Sequence, residues 1–223
     1  MEIKPIAYIS TDFREKFGIP RQGALAAGCT GEIVFEKEFR SAEAVRGLEE
    51  FSHIWLLWDF SKAHTGEFSP TVRPPRLGGN TRVGVFASRS PFRPNSIGLS
   101  AVRLERIEIT PDRGPILYVS GVDLLDGTPI YDIKPYIPYA DSIAAATDGY
   151  TGETKDYRLN VVFPQELLAL ISESKRDSLI GILSLDPRTS YNHDPEKVWG
   201  MSFRDSNIRF QVCGDTLTVV GVD

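Results

Sequence analysis

The order of apolar and polar positions along the chain predicts a mainly β protein. Six apolar stretches bounded by turn residues have the length and composition of strands, at residues 3–9, 31–35, 53–60, 96–109, 116–125 and 130–133. The stretch 53–60 (HIWLLWDF) is apolar at consecutive positions, which predicts a strand buried on both sides. Ser41 precedes a helical spacing of Ala42, Val45 and Leu48, so a short helix is expected there.

The longest predicted strand, 96–109, contains two interruptions of its alternating pattern. Its apolar residues occupy odd positions at first, change to even positions at Val102, and return to odd positions at Ile107. Because side chains alternate strictly between the two faces of a strand, each change of phase predicts a bulge or a bend. A strand that bends twice is typical of a curled or closed sheet, so we expect a β-barrel.

The second part of the chain has a different pattern. Residues 140–156 are small, polar and glycine-containing, which predicts a linker. Beyond it we expect an amphipathic helix at 164–175, a second helical stretch at 179–185, and a hairpin of 208–212 with 217–222. The sequence therefore predicts a barrel domain at 1–145 and a small α+β domain at 157–223. A unit of about sixty residues buries little apolar surface, so it should dock on the barrel.

Composition is that of an ordinary soluble globular protein. The 223 residues are 41% hydrophobic and 25% charged, and no apolar run approaches the about 20 residues that a membrane span needs. The N-terminus lacks the apolar core of a signal peptide. Two distant cysteines and three scattered histidines form neither a disulfide framework nor a metal-ligand pattern. We therefore expect a cytoplasmic protein with no metal site and no membrane segment.

Positive charge is concentrated in one window of an otherwise acidic chain. The net charge is −5, yet residues 69–104 contain no Asp or Glu and six arginines, namely Arg73, Arg76, Arg82, Arg89, Arg93 and Arg103. Prolines and glycines in 69–80 predict an extended arm without regular structure. Arginine presents a planar fork that suits phosphate, carboxylate or stacked bases, so an anionic partner is expected here. Alternatively, these arginines neutralise the acidic stretch 123–156 across the fold.

Residues 84–100 (GVFASRSPFRPNSIGLS) predict a stiff polar loop between two strands, with Arg89 and Arg93 on either side of Pro91. Such loops form binding sites, although a purely structural crossover would also fit this sequence. The chain has no P-loop, no Rossmann glycine fingerprint and no G-x-S-x-G elbow. What remains predicts a pocket for a polar, nucleotide-like ligand, built from loops that contain glycine, arginine and aspartate. These loops are 20–23, 73–80, 89–95 and 123–129.

Three blocks of the sequence together resemble the TrmO family, also called TsaA-like or YaeB-like. The blocks are RPPRLGGN at 73–80, GVFASRSPFRPNSIGLS at 84–100 and DLLDGTPIYDIKPY at 123–136. Members of this family are tRNA N6-methyltransferases that act on N6-threonylcarbamoyladenosine beside the anticodon. The resemblance extends over nearly the whole chain. It implies a β-barrel that binds S-adenosylmethionine without a Rossmann sheet, a C-terminal appendage and a homodimer.

The resemblance also implies which residues contact the cofactor, and these are Gly23, Ala24, Leu25, Ser61, Lys62, Arg89, Leu99, Ser120, Gly121, Val122 and Asp123. Methyl transfer from a sulfonium is an in-line displacement, which requires positioning but neither a metal nor a covalent intermediate. The accepting N6 is amide-like and poorly nucleophilic, so a group that accepts its proton would help. Asn95 and Asp126 are the candidate catalytic residues, although either could simply set a turn.

The remaining candidates concern the substrate. Arg93 or Arg76 is expected to pair with the threonyl carboxylate in a bidentate manner. The residues expected to bind substrate or the tRNA anticodon stem-loop are Arg73, Arg76, Arg82, Arg93, Arg188 and Tyr191. Two alternatives stay open at this point. The protein could be a non-catalytic nucleotide- or tRNA-binding barrel, or a methyltransferase that acts on a small molecule or a protein.

Overall fold

The computed structural model describes residues 2–20, 28–64, 68–78, 80–188 and 194–223, with the backbone alone at residue 76. Within these ranges the N-terminal part contains the strands β1 (Ala7–Thr11), β2 (Thr30–Phe35), β3 (His53–Asp59), β4 (Thr71–Val72), β5 (Val83–Gly84), β6 (Ile97–Thr110), β7 (Gly114–Ser120) and β8 (Thr128–Pro135). Six of them close an antiparallel barrel in the order β1–β2–β7–β6–β3–β8. β4 and β5 form a separate two-stranded ribbon.

The described chain beyond the barrel forms α1 (Pro138–Asp141), β9 (Asn160–Val162), α2 (Gln165–Leu168), α3 (Glu173–Ser184), β10 (Trp199–Phe203), β11 (Ser206–Cys213) and β12 (Thr216–Val222). Four strands make a sheet in the order β10–β11–β12–β9, with β9 parallel to β12. The predicted architecture of a closed β-barrel followed by an α+β unit is therefore confirmed. The predicted hairpin corresponds to β11 and β12, whereas β9 and β10 were not predicted.

β3 was predicted to be buried on both sides, and this prediction is wrong. Ile54, Leu56 and Trp58 point into the barrel with at most 7% of their surface exposed, whereas the side chains between them are half-buried. The outer face of the strand is partly covered, because the Trp55 indole N–H donates a hydrogen bond to Asp141 Oδ2 at 3.0 Å. β3 has apolar residues on both faces because its inner face lines the barrel and its outer face is partly covered, not because it is a central strand of an open sheet.

β6 confirms one of its two predicted irregularities. Its register with β7 shifts between Leu104 and Arg106, where the apolar pattern returns to odd positions. The first predicted irregularity, at Val102, is wrong, because the even positions from 98 onward already face the interior. Polar Ser100 is therefore buried, while apolar Leu99 lies outside and is 52% exposed. A hydrophobic pattern alone assigns these two residues to the wrong faces.

Three N-terminal elements differ from the predictions in extent. β1 begins at Ala7 rather than residue 3, beyond Pro5, which has no N–H to donate to a sheet. β7 ends at Ser120 rather than residue 125, because Gly121 takes a φ of 74° and turns the chain. The arm predicted to lack regular structure contains β4, which pairs with β5, and a 3-10 turn at Pro75–Leu77.

The helical predictions need two corrections. The helix expected after Ser41 consists of two 3-10 turns, Ala42–Val45 and Leu48–Glu50, because Gly47 between them takes a φ of 81°. In the C-terminal unit, the helix expected at 164–175 is interrupted. α2 ends at Leu168 and α3 starts at Glu173, since Ser172 adopts an extended conformation with φ −50° and ψ 131°.

The C-terminal unit incorporates residues from the N-terminal segment. Phe13 and Cys29 are 2% and 3% exposed and belong to the core of the C-terminal unit rather than to the barrel interior. Lys175 of α3 donates to Asp12 Oδ2 at 2.6 Å and to Thr30 Oγ1 at 2.8 Å. The C-terminal unit therefore contacts the end of the barrel where β1 ends and β2 begins.

Candidate functional site

One end of the barrel, which we call the rim, brings together the segments predicted to form a site. β1, β3 and β7 end at the rim and β2, β6 and β8 begin there, as shown by the register pairs Thr11↔Gly31, Ile9↔Thr128, Thr30↔Ser120 and Asp59↔Ile97. Ser61 and Lys62 follow β3, the loop containing Arg89 precedes β6, and Gly121 to Asp123 follow β7. Because β3, β6 and β7 are consecutive in the barrel, these segments form one continuous arc.

The residues that follow β7 are anchored on the rim. Ser120 is buried and its hydroxyl donates a hydrogen bond to the Glu105 carboxylate. After the turn at Gly121, the Val122 N–H donates to the carbonyl oxygen of Cys29 at 3.3 Å, and the Val122 side chain is fully buried. The backbone of residues 120–123, all four predicted to contact the cofactor, is therefore held in place on the rim.

Asp123 is oriented by a buried hydrogen-bond relay that extends into the barrel. The Trp58 indole N–H donates to Ser100 Oγ at 3.1 Å, and the Ser100 hydroxyl donates to Asp123 Oδ1 at 2.7 Å. Trp58 and Ser100 are 7% and 6% exposed. Because buried polar groups require partners, the relay explains why a serine occupies an interior position of β6. The sequence reasoning missed both residues, and the available signal was a polar side chain next to apolar ones.

Gly98 provides the space for this relay, and Gly98→Ala is expected to destabilise the barrel. A Cβ at this position would overlap the Trp58 indole. Since the indole is packed in the core, we expect the free energy of unfolding to fall by about 1–3 kcal/mol in urea denaturation. Gly84→Ala is the matched control, because nothing lies within 4 Å of its Cβ position. Equal stability of the two variants would contradict this packing.

The segment after β3 is held between two loops. The Phe60 N–H donates to the Ser96 carbonyl oxygen at 3.0 Å, which joins the end of β3 to the loop before β6. The Lys62 carbonyl oxygen accepts a hydrogen bond from Lys16 Nζ in the N-terminal loop. Ser61 and Lys62 thus lie where the loop before β6 and the loop after β1 approach each other.

The loop before β6 carries three polar side chains that are available to a ligand. The Arg93 N–H donates to the Pro91 carbonyl oxygen at 2.8 Å, and Ser96 Oγ donates to the same oxygen at 2.9 Å. Arg89 and Asn95 are exposed and Arg93 is half-buried. Within the part of the chain that the structure describes, none of these three side chains has a hydrogen-bond or ion-pair partner.

Asp126 lies in the turn between β7 and β8 with one carboxylate oxygen engaged. Its Oδ1 accepts hydrogen bonds from Ser10 Oγ at 3.0 Å and from the Thr11 N–H at 2.8 Å. Its own N–H donates to the Phe13 carbonyl oxygen at 2.8 Å. The side chain is exposed, so the two donors orient a carboxylate at the rim while using only one of its oxygens.

The arginine window 69–104 is mostly unpaired where its side chains are described. Arg73 and Arg82 are exposed, and Arg82 Nη1 donates to Thr71 Oγ1 at 2.8 Å. Arg103 pairs with Glu105 at 3.4 Å. Among the described side chains, no arginine of the window forms an ion pair with a carboxylate of 126–156. Gly23, Ala24, Leu25 and Tyr191 lie outside the described residues, and of Arg76 only the backbone is described.

Arg188, which was predicted to contact tRNA, is buried and paired. Its side chain is 8% exposed, and Nε and Nη2 donate to the two carboxylate oxygens of Asp186 at 2.8 Å each. The Tyr157 hydroxyl donates to Asp186 Oδ2 at 3.0 Å. A guanidinium that is 8% exposed and already paired with a carboxylate presents little surface to a phosphate, so we leave Arg188 out of the proposed tRNA-binding surface.

The Asp186–Arg188 pair should make stability depend on pH. Burial alone would raise the pKa of Asp186, but the hydrogen bonds and charge of Arg188, with a hydrogen bond from Tyr157, hold it below its ordinary value. A lowered folded-state pKa stabilises the fold above the unfolded-state pKa of about 3.9, and this contribution is lost as the pH falls through the folded-state pKa.

Asp186→Asn should therefore lower the free energy of unfolding by about 1.5–3 kcal/mol at neutral pH, and by less in acid. Asparagine tolerates the φ of 55° at this position, so the backbone is preserved. Urea denaturation at neutral and acidic pH measures the difference, with the exposed Asp177→Asn as control. A stability loss that does not shrink on acidification would contradict the role of the charge.

Three further observations concern membrane spans, metal binding and the buried thiol of Cys29. No helix of the described ranges is long and apolar enough to cross a membrane. Those same ranges hold no group of three or more His, Cys, Asp or Glu side chains placed to bind a metal ion. Burial, with the nearby Asp12 carboxylate, raises the pKa of Cys29 to about 12, so this residue is a neutral thiol rather than a nucleophile.

Comparison with known proteins places these features in a family. The family model of the tRNA-methyltransferase O N-terminal domain matches residues 8–142, and that of the TrmO C-terminal domain matches residues 156–223. The tRNA (adenine(37)-N6)-methyltransferase of Escherichia coli K12 is 40% identical over 219 residues, which cover 95% of this chain and 93% of that protein. The enzyme of the same name from Eikenella corrodens is 42% identical over 163 residues, 73% of this chain and 91% of that protein.

Two Pseudomonas aeruginosa proteins complete the comparison. One, named as a candidate S-adenosylmethionine-dependent methyltransferase, is 51% identical over 147 residues, which cover 66% of this chain and 62% of that protein. The crystal structure of TrmO from this organism superposes with a TM-score of 0.81 at 35% identity, covering 100% of this chain and 96% of that one. The chain therefore belongs to the tRNA-methyltransferase O family.

Proposed function

We propose that this protein transfers a methyl group from S-adenosylmethionine to N6 of adenosine 37 in tRNA, when that adenosine carries an N6-threonylcarbamoyl group. The observation that carries the proposal is the convergence of β3, β6 and β7 at one rim, because the described segments after β3, before β6 and after β7 contain residues of the proposed cofactor set. The names of the Escherichia coli and Eikenella corrodens relatives support the tRNA position and the atom that is methylated.

The rim offers chemical groups that suit S-adenosylmethionine. Leu99 exposes apolar surface for an adenine ring, and Asp123 offers a carboxylate for hydroxyl or amino groups. The exposed guanidinium of Arg89 suits the carboxylate of the methionyl group. The full proposed set is Gly23, Ala24, Leu25, Ser61, Lys62, Arg89, Leu99, Ser120, Gly121, Val122 and Asp123. When bound, this cofactor supplies an electrophilic methyl group on a sulfonium.

Four side chains are proposed to act on the acceptor nucleotide. Asn95 accepts a hydrogen bond from the N6–H through its carboxamide oxygen, and Asp126 takes the N6 proton through its second carboxylate oxygen, Oδ2. Arg93, or Arg76, pairs with the threonyl carboxylate. Plain adenosine would leave that arginine without its partner, so the pair selects the modified nucleotide.

We also propose which residues contact tRNA, that the protein is a homodimer, and where it acts. Arg73, Arg76, Arg82 and Tyr191 contact the anticodon stem-loop, and two copies of the chain form a homodimer in the cytoplasm. The exposed Arg73 and Arg82 support the tRNA contact. A division into units at 1–145 and 157–223 is supported by family models that match 8–142 and 156–223 and by two cores, although the second core also includes Phe13 and Cys29.

A transfer experiment with S-adenosylmethionine labelled in its methyl group tests the substrate class. The purified protein is incubated with tRNA that lacks the N6 methyl group, with a protein extract, and with a small-molecule extract. Label is expected in tRNA alone. Label in protein or small molecules would indicate the alternative methyltransferase, and cofactor binding without transfer to any fraction would indicate a non-catalytic barrel.

A further inference from the structure

Phe68 and Phe86, which we call the aromatic pair, are exposed at the base of the β4–β5 ribbon. Phe68 precedes β4 and Phe86 follows β5, and 53% and 73% of their surfaces are exposed. The ring centroids lie 6.3 Å apart, and the ring planes differ by 25°, so the rings stack. Neither ring contributes to a core in the described fold. Exposed apolar surface of this kind marks a contact with another molecule.

The backbone of the ribbon fixes the aromatic pair in place. Thr71 of β4 pairs with Gly84 of β5, and the Val85 N–H donates to the Pro70 carbonyl oxygen at 3.0 Å. Val85 is 1% exposed and anchors the ribbon on the protein. Because the rings flank a short closed ladder, they lose little freedom when they contact a partner.

From Phe68 to residue 104 the chain carries only positive charge, whereas Glu67 directly precedes Phe68 in the sequence. Residues 69–104 contain six arginines and no carboxylate, and the exposed Arg73 and Arg82 belong to the ribbon region. Neither of these two guanidiniums pairs with a carboxylate in the described ranges, and Arg82 Nη1 donates to Thr71 Oγ1 on the neighbouring strand. Aromatic faces beside unpaired arginines are the combination that binds single-stranded nucleic acid.

We infer that the aromatic pair is a stacking platform for unpaired bases of the tRNA anticodon loop, an inference that rests on the proposed function for the identity of the RNA. Bases that are not paired expose their faces, which stack on phenylalanine rings, while Arg73 and Arg82 meet the adjoining phosphates. The platform lies on the ribbon that leads into the loop with Arg89 and Asn95. It therefore presents the loop of the RNA to the rim.

A second copy of this chain is the competing occupant. Two-fold association brings equivalent patches together near the symmetry axis. Arg73 and Arg82 would then approach their own counterparts, and residues 67–104 contain one carboxylate, that of Glu67, against six arginines. RNA supplies both ring faces and negative charge, so the observed combination favours RNA.

Binding to two labelled RNAs tests the platform. One is an anticodon stem-loop, and the other has the loop replaced by complementary nucleotides that extend the duplex. Replacing Phe68 and Phe86 together by Ala should weaken binding of the stem-loop on the order of 10- to 100-fold, and leave the duplex unaffected. Phe86→Tyr keeps an aromatic face and should bind as wild type, whereas Phe86→Leu should not. Phe51→Ala, an exposed phenylalanine before β3 at the opposite end of the barrel, is the control.

The same variants separate this inference from its alternatives. Affinity for S-adenosylmethionine and the molecular mass in light scattering should be unchanged by the double replacement. Unchanged affinity for the stem-loop would overturn the platform, and loss of a dimer with RNA affinity intact would assign the pair to a second copy. Wild-type protein that binds the stem-loop through the pair but transfers no methyl group would refute the proposed function and leave the platform standing.

Discussion

Asp126→Asn is expected to lower kcat by about 10²- to 10⁴-fold while leaving the affinity for S-adenosylmethionine unchanged. The substitution keeps a side-chain oxygen in place of Oδ1, so the hydrogen bonds from Ser10 Oγ and the Thr11 N–H can persist. It removes the negative charge that would accept the N6 proton. A residue that only sets the turn would lose little activity, because the anchoring oxygen is preserved.

Single-turnover rates and calorimetric cofactor titrations measure the two quantities separately. Asp112→Asn is the matched control, because Asp112 is an exposed aspartate in the β6–β7 turn at the opposite end of the barrel. A wild-type rate for Asp126→Asn would remove Asp126 from the mechanism, leave Asn95 to orient the N6–H by a hydrogen bond, and assign the proton to solvent. Reduced cofactor affinity would instead indicate that the substitution disturbs the rim.

Arg89→Ala is expected to weaken binding of S-adenosylmethionine by about 10- to 100-fold, the loss typical of a hydrogen bond to a charged group. The guanidinium is exposed, and no described residue neutralises it, so it is free to pair with a ligand carboxylate. Its removal should affect the cofactor more than the RNA, because the cofactor carries one carboxylate whereas the RNA meets several arginines.

Calorimetry of Arg89→Ala and Arg113→Ala isolates this effect. Arg113 is an exposed arginine in the β6–β7 turn, far from the rim along the strands, so its loss changes net charge equally. Wild-type affinity for the cofactor in both variants would refute the assigned role of Arg89. A loss in both would show that net charge, rather than a specific pair, determines binding.

The barrel could be predicted from the sequence because its evidence is local. Short apolar runs and turn residues identify the strands, and the irregularity near Leu104 signals the curvature that closes the sheet. The same pattern fails between Gly98 and Ser100, where the interior face is small and polar to accommodate Trp58 and its relay. Apolar Leu99 is thereby left outside, available to a ligand. Long-range packing decided these faces, and no pattern within β6 contains that information.

The C-terminal unit shows the same limit. Its hairpin was predicted from alternation, but its core includes Phe13 and Cys29, which are distant in sequence. The pairing of β9 with β12 is also non-local, and β9 has only three residues. Arg188 is buried because it pairs with Asp186, only two residues away. A carboxylate close in sequence does not by itself reveal a buried bidentate pair.

The sequence predicted which segments form the candidate site better than it predicted what each side chain does there. The resemblance identified the residues after β3, before β6 and after β7, and the strand order explains why they meet. It did not reveal the support for Asp123 from Ser100, nor the exposed aromatic pair on the ribbon. Glycine, arginine and aspartate in the three blocks guided the sequence prediction, whereas these two features depend on a serine and on two phenylalanines.

The most direct test of the account is nucleoside mass spectrometry of tRNA that carries N6-threonylcarbamoyladenosine at position 37 and lacks the N6 methyl group. After incubation with the protein and S-adenosylmethionine, this nucleoside should gain the mass of one methyl group in place of one hydrogen. The matched tRNA without the threonylcarbamoyl group should remain unchanged. An unmodified N6-threonylcarbamoyladenosine in the presence of bound cofactor, or a methyl group on any other nucleoside, would contradict the account.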